Sequence, residues 1–175
     1  MKKIDEAERL EQMTQYERPF WERGIAVAGM DEVGRGPLAG PVVAACVILP
    51  PGLMIEDVND SKKLTKKRME KLYPLITGGA AAFGTGWVFQ KEIDEINILQ
   101  ATKKAFAEAY RNALAHCPGD YVCSDVFVDA VKELDIPAVQ HSLIHGDALC
   151  YSIAAASIVA KVERDRYMIA AAEKF

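Results

Sequence analysis

Cysteine and histidine are scarce in this 175-residue chain, which has four of the first and three of the second. The cysteines (Cys46, Cys117, Cys123, Cys150) are scattered and form no C-x-x-C pair, which argues against a zinc site. Cys46 and Cys123 fall in strand-like runs, where a thiol packs as a small apolar group. No apolar run approaches the length needed to span a bilayer. The opening Met1-Lys2-Lys3-Ile4-Asp5-Glu6 has none of the apolar core of a signal peptide. The expectation is a reduced, cytoplasmic protein with no membrane partner. No Gly-x-Ser-x-Gly elbow is present, which leaves a Ser/His/Asp hydrolase poorly supported. Internal repeats and low-complexity segments are also missing. A net charge of −4 excludes the strongly basic class of nucleic-acid binders, though not a local basic patch.

What is present suits one soluble domain with a real core: 50% of the residues are apolar and 26% charged. Residues 1–23 carry both signs of charge, with Leu10, Met13, Tyr16 and Phe20 at helical spacing, and read as a helical flank ending near Pro19 and Gly24. Residues 24–175 read as the main domain. Strands are expected at about 25–31 and 41–49, as a hairpin, and at 82–89, 121–129 and 137–144. Thr65 can cap a helix with Met69, Leu72 and Ile76 on one face, its last turn distorted by Pro74 and its end set by Gly78-Gly79. Asn97 can cap a longer helix over about 98–115. A final helix begins around Asp147 or Ala148. Three early strands followed by alternating helix and strand predict a mixed sheet of about five strands with helices on its faces.

The most informative stretch is Gly29-Met-Asp-Glu-Val-Gly-Arg-Gly-Pro-Leu-Ala-Gly-Pro41. An apolar run, Ile25 to Ala28, ends in two adjacent carboxylates, Asp31 and Glu32. Carboxylates at the end of a core strand are costly unless paired, solvated or bound to a cation, and no basic residue lies within the strand. Gly34, Gly36 and Gly40 suggest a dinucleotide fingerprint, but that motif opens a helix, and here Pro37 and Pro41 lead into a second apolar strand. Asp129 after Val126-Phe127-Val128 and Asp147 after His145-Gly146 repeat the pattern of a carboxylate where an element ends. Two hard divalent ions about 4 Å apart need several oxygen ligands from separate elements. Each aspartate alone reads as a turn residue or cap; the conjunction points to a metal site. Between Asn59 and Lys71, six basic residues (Lys62, Lys63, Lys66, Lys67, Arg68, Lys71) face only Asp60 and Glu70, a local excess that can bind phosphate.

These motifs resemble the ribonuclease HII family over about residues 15–175. The resemblance rests on Ala28 to Pro41, Asp60-Ser-Lys-Lys-Leu64, Asp94-Glu-Ile-Asn-Ile98, Val128-Asp129-Ala130, and Gly146-Asp147-Ala148 leading into Ser152 to Lys161. Met13-Thr-Gln-Tyr-Glu-Arg18 is similar to the segment before the catalytic domain in enzymes of Gram-positive bacteria. The resemblance implies the ribonuclease H-like α/β fold with helices on both faces of the sheet. It implies Asp31, Glu32, Asp129 and Asp147 as catalytic ligands of two Mn²⁺ or Mg²⁺ ions. Gly34, Arg35 and Gly36 would read a ribose 2′-hydroxyl, and Ser61, Lys62 and Lys63 would contact phosphate. The activity it implies is endonucleolytic cleavage of the RNA strand of DNA–RNA hybrids, and 5′ of ribonucleotides embedded in duplex DNA, as in ribonucleotide excision repair. The ends left would be 3′-hydroxyl and 5′-phosphate, and the enzyme would be a monomer.

Ser157 and Lys161 read equally well as helix packing with a surface lysine, or as substrate contacts. Asp165, about five turns beyond Asp147, reads as an ion-pair partner. The resemblance departs at the end, where the family continues past a segment like Tyr167–Phe175 into a glycine-rich loop with a stacking tyrosine and further helices. The expectation is therefore a shortened chain that folds, cuts weakly and discriminates poorly. Two other readings stay open: another ribonuclease H-like nuclease acting on longer hybrids, and a hybrid-binding module with little or no activity.

Overall fold

A computed structural model describes residues 4–36, 39–121 and 123–175. Pro37, Leu38 and Val122, which fall within the glycine loop and the expected fourth strand, lie outside the described residues. The elements run α1 (Glu6–Met13), α2 (Arg18–Trp21), β1 (Val27–Val33), β2 (Val42–Leu49), a 3₁₀ turn (Ser61–Lys63), α3 (Lys66–Gly79) and β3 (Ala82–Val88). They continue with α4 (Gln90–Ile96), α5 (Ile98–Ala115), β4 (Asp125–Asp129), β5 (Val139–Leu143), α6 (Gly146–Leu149) and α7 (Tyr151–Ala172). Among the described residues, five strands form one mixed sheet in the order β3-β2-β1-β4-β5. The first three strands are antiparallel neighbours, while β1–β4 and β4–β5 are parallel.

Alternation along the strands divides the core into two faces. Ala28, Met30, Ala44, Cys46 and Ile48 pack against Ala105, Phe106 and Ala109 of α5. Ala45, Val47 and Leu49 point the other way, against Ala155, Ile158 and Val159 of α7 and Leu72 and Ile76 of α3. Both strands of the central hairpin are thus covered on both sides, which is why they read as unbroken apolar runs. Gly29 permits the closest approach of α7, since a Cβ there would lie 2.0 Å from the carbonyl atoms of Ser152. Among the described residues, no helix is long and apolar enough to cross a membrane.

Thr65 caps α3 by accepting from the Arg68 amide at 3.2 Å, and Asn97 caps α5 by accepting from the Gln100 amide at 3.1 Å. Several boundaries differ from the expectation. Pro19 starts the short helix α2 rather than ending the flank, because its missing amide costs nothing in a first turn. The helix α3, by contrast, runs through Pro74 and ends at Gly79, at the glycine pair expected to stop it. The fourth strand is shorter than 121–129: a turn closes at Tyr121, whose amide donates to Pro118, and Tyr121 and Cys123 join the α5-side core without a ladder. The final helix is broken at Cys150, which takes an extended conformation between α6 and α7.

Candidate active site

Parallel pairing of β1 with β4 brings the ends of both strands to one edge of the sheet, and α6 begins beside them. One cleft there is lined by Asp31, Glu32, Gly34, Arg35, Gly36, Ser61, Lys62, Asp129 and Asp147. Of the ten residues singled out from the sequence, only Lys63 lies elsewhere, lining a neighbouring cleft with Arg9, Gln12 and Ala148.

Asp31, Asp129 and Asp147 each present one carboxylate oxygen such that all three lie within 4.8 Å of one another. Asp31 and Asp147 are buried, and Asp129 is partly exposed. Each is held by its surroundings. Asp31 Oδ1 accepts from the Glu32 amide at 2.8 Å, and Asp129 Oδ1 from the Gly146 amide at 2.9 Å. The second bond ties the end of β4 to the start of α6. Ala130 and His145, the residues flanking this junction, take left-handed backbones with φ of 55° and 56°, a local strain that the surrounding contacts maintain. Glu32 points to the opposite face of β1 from Asp31, so it sits at the margin of the trio. The Arg35 guanidinium lies 3.9 Å from it.

The electrostatics are those of crowded, desolvated carboxylates. Burial, reinforced by Glu32 and Asp129, pushes the Asp31 carboxyl well above its ordinary range. Burial raises Glu32 to about 7, against the pull of Arg35. Burial raises Asp129 too, and Asp147 adds to it, while the Gly146 amide opposes the shift. The Lys62 ammonium approaches the trio, donating to Asp147 Oδ2 at 3.0 Å. Asp60 caps the turn that carries Lys62, accepting from the Lys62 amide at 2.9 Å. Hard oxygen donors, mutual repulsion and a neighbouring ammonium drawn to them fit a divalent cation of the Mg²⁺ or Mn²⁺ type.

Beside the trio, Gly34 has φ of +99°, and a Cβ there would fall 2.4 Å from the Pro41 carbonyl oxygen, so glycine is required. Sequence reasoning missed what holds this loop. The buried Arg164 of α7 donates through Nε to the Pro41 carbonyl at 2.9 Å and through Nη2 to the Ala39 carbonyl at 2.8 Å. It lies in the charged run Lys161-Val-Glu-Arg-Asp-Arg166, which gives no local sign of a distant partner. Lys161 also lines the cleft and pairs with Asp165 at 2.8 Å, while the Ser157 hydroxyl is buried and donates to Ala154 within its helix.

The family model described as Ribonuclease HII matches residues 28–175. The ribonuclease HII of Acetivibrio thermocellus is 51% identical over 164 residues, covering 93% of this chain and 62% of that protein. The ribonuclease HII of Caldanaerobacter subterraneus subsp. tengcongensis is 49% identical, covering 93% of this chain and 66% of that protein. The chain thus spans a little under two thirds of the length of these relatives. The crystal structure of ribonuclease H2 from Pyrococcus horikoshii superposes with a TM-score of 0.70 at 28% identity, over 86% of this chain and 77% of that one. Its fold is the ribonuclease H-like α/β fold, and the chain belongs to the ribonuclease HII family.

Proposed function

We propose that the protein is a metal-dependent endoribonuclease that cuts the RNA strand of DNA–RNA hybrids and cuts 5′ of ribonucleotides embedded in duplex DNA. The observation that carries this is the aspartate trio, contributed by β1, β4 and α6, beside a glycine loop that bears Arg35. Asp31, Asp129 and Asp147 would hold divalent cations, with Glu32 at the margin. With divalent ions held there, the site would supply a water of lowered pKa and positive charge to offset the negative charge developing on the scissile phosphate and leaving oxygen.

The remaining work belongs to the side chains and backbone. Main-chain groups around Gly34 and Gly36 can come close to a ribose, and the 2′-hydroxyl is the group that distinguishes RNA from DNA at one position. Arg35, half exposed, can grip a phosphate with its planar fork. Ser61 and Lys62 line the same cleft and add contacts to the backbone of the duplex. These contacts hold the phosphodiester in line for attack, the term on which catalysis by positioning depends. The products expected are 3′-hydroxyl and 5′-phosphate ends.

The test is cleavage of three labelled duplexes in Mn²⁺: all DNA, DNA with one ribonucleotide, and a long RNA–DNA hybrid. Cutting 5′ of the single ribonucleotide supports the reading. Cutting of the long hybrid alone would favour a nuclease of the other ribonuclease H type. Binding without cutting would make the chain a recognition module.

A further inference from the structure

Glu17 is completely buried, yet it belongs to the N-terminal segment rather than to the sheet or its covering helices. Its Oε1 accepts three bonds at the break between α6 and α7: from the Ser152 amide at 2.7 Å, the Ser152 hydroxyl at 2.7 Å and the Cys150 thiol at 3.0 Å. A buried carboxylate is costly, and it is kept only where donors converge on it. These donors converge because α7 starts abruptly at Tyr151, leaving its first amides without partners inside the helix. Glu17 therefore acts as a cap supplied from 135 residues away in sequence.

The capped point lies three residues after Asp147. Ser152 is also the residue whose backbone rests on Gly29, two residues before Asp31. The same N-terminal segment packs Tyr16 and Phe20 on Phe127, two residues before Asp129, with ring centroids 6.2 and 5.8 Å apart. One short segment thus braces all three elements that carry the aspartates, from behind the cleft.

We propose that Glu17 is a positioning residue of the metal centre: by fixing the α6–α7 break against β1, it sets the place of Asp147 relative to Asp31 and Asp129. The inference rests on the reading of these aspartates as metal ligands. Groups hydrogen-bonded directly to metal ligands typically change metal affinity by about 10- to 100-fold when removed, and Glu17 acts one contact further back, which points to the low end of that range.

The experiment measures Mn²⁺ binding from the electron paramagnetic resonance signal of free Mn²⁺, at a temperature where each variant is folded by circular dichroism. The variants are Glu17→Ala, Glu17→Gln and, as a control for stability alone, Phe106→Leu on the opposite face of the sheet. Glu17→Ala is expected to weaken binding about tenfold. Glu17→Gln, which keeps an acceptor oxygen at the cap, is expected to bind nearly as the unaltered protein does, and so is Phe106→Leu. If Glu17→Ala does not fold, Glu17→Asp, which withdraws the carboxylate by one methylene, is expected to weaken binding several-fold. The inference is overturned if the folded Glu17 variants all bind Mn²⁺ normally, or if Phe106→Leu weakens binding as much. Failure of the unaltered protein to bind Mn²⁺ would instead overturn the metal-centre reading, and this inference with it.

Discussion

Lys62 donates from its ammonium to Asp147 Oδ2 at 3.0 Å, joining a side chain that is 77% exposed to one that is 5% exposed. The bond raises the Lys62 pKa, so the lysine is firmly charged. It neutralises a carboxylate that has two other aspartates around it, and so reduces the negative charge on which the proposed cation binding would depend. Such a lysine competes with the ion and, once displaced, is free for a phosphate. Lys62→Ala is expected to tighten Mn²⁺ binding several-fold while weakening binding to a hybrid duplex. Loss of one phosphate contact should also reduce the slope of log K against log salt by about one. Calorimetry with Mn²⁺ and duplex titrations at several salt concentrations check both halves.

The raised carboxyl groups set a pH dependence for the metal-free protein. Glu32 rises from 4.5 to about 7, and Asp31 and Asp129 move in the same direction. A carboxyl whose folded pKa is raised binds its proton more tightly in the folded state. Stability therefore falls as pH rises from about 4 to 7, across the interval between the unfolded and folded values. Glu6, lowered to about 2 by Arg9, acts in the opposite sense and only on the acid side of 4.5. Thermal melts without metal should thus show a decline between pH 4.5 and 7 that Asp31→Asn and Glu32→Gln each lessen. Excess Mg²⁺ should reverse the decline near pH 7, since binding requires the ionised carboxylates.

Two arginines at the same loop should behave differently. Arg35 is half exposed and 3.9 Å from Glu32, whereas Arg164 is buried with two carbonyl partners in the loop. Arg35→Ala should leave the melting temperature nearly unchanged and reduce cleavage at a ribonucleotide. Arg164→Ala should cost about 1–3 kcal/mol, because it strands buried carbonyls, and should reduce cleavage through the loop. Denaturant melts alongside steady-state kinetics separate the two. A large stability loss for Arg35→Ala with normal cleavage would make it a structural residue instead.

The aspartate trio was legible because each member ends an apolar run or opens a helix, where a carboxylate has no local reason to be. The β1–β2 hairpin and α5 were legible for the same kind of reason, from apolar runs and from Asn97 as a cap. What was not legible depends on distant partners. Residues 147–160 read as one helix, since nothing local breaks them; the break at Cys150 has its partner in Glu17. Arg164 meets backbone carbonyls more than 120 residues away, which no side-chain pattern encodes. Tyr121 and Cys123 are apolar because they pack on the α5-side core, and that composition imitates a strand. The different placement of Asp31 and Glu32 follows from strand alternation, once β1 is known to include both.

The most direct test is cleavage of a DNA duplex carrying one ribonucleotide, with excess Mn²⁺ or with chelator, by this protein and by its Asp129→Asn variant. The account predicts a single cut 5′ of the ribonucleotide that requires Mn²⁺. It also predicts at least a hundredfold loss for Asp129→Asn, roughly the value of a group acting at the reacting phosphate. The variant's metal-free melting temperature should be equal or higher, because one of three crowded charges is gone. Cleavage that persists in chelator, or an Asp129→Asn variant that cuts as fast as the unaltered protein, would contradict it.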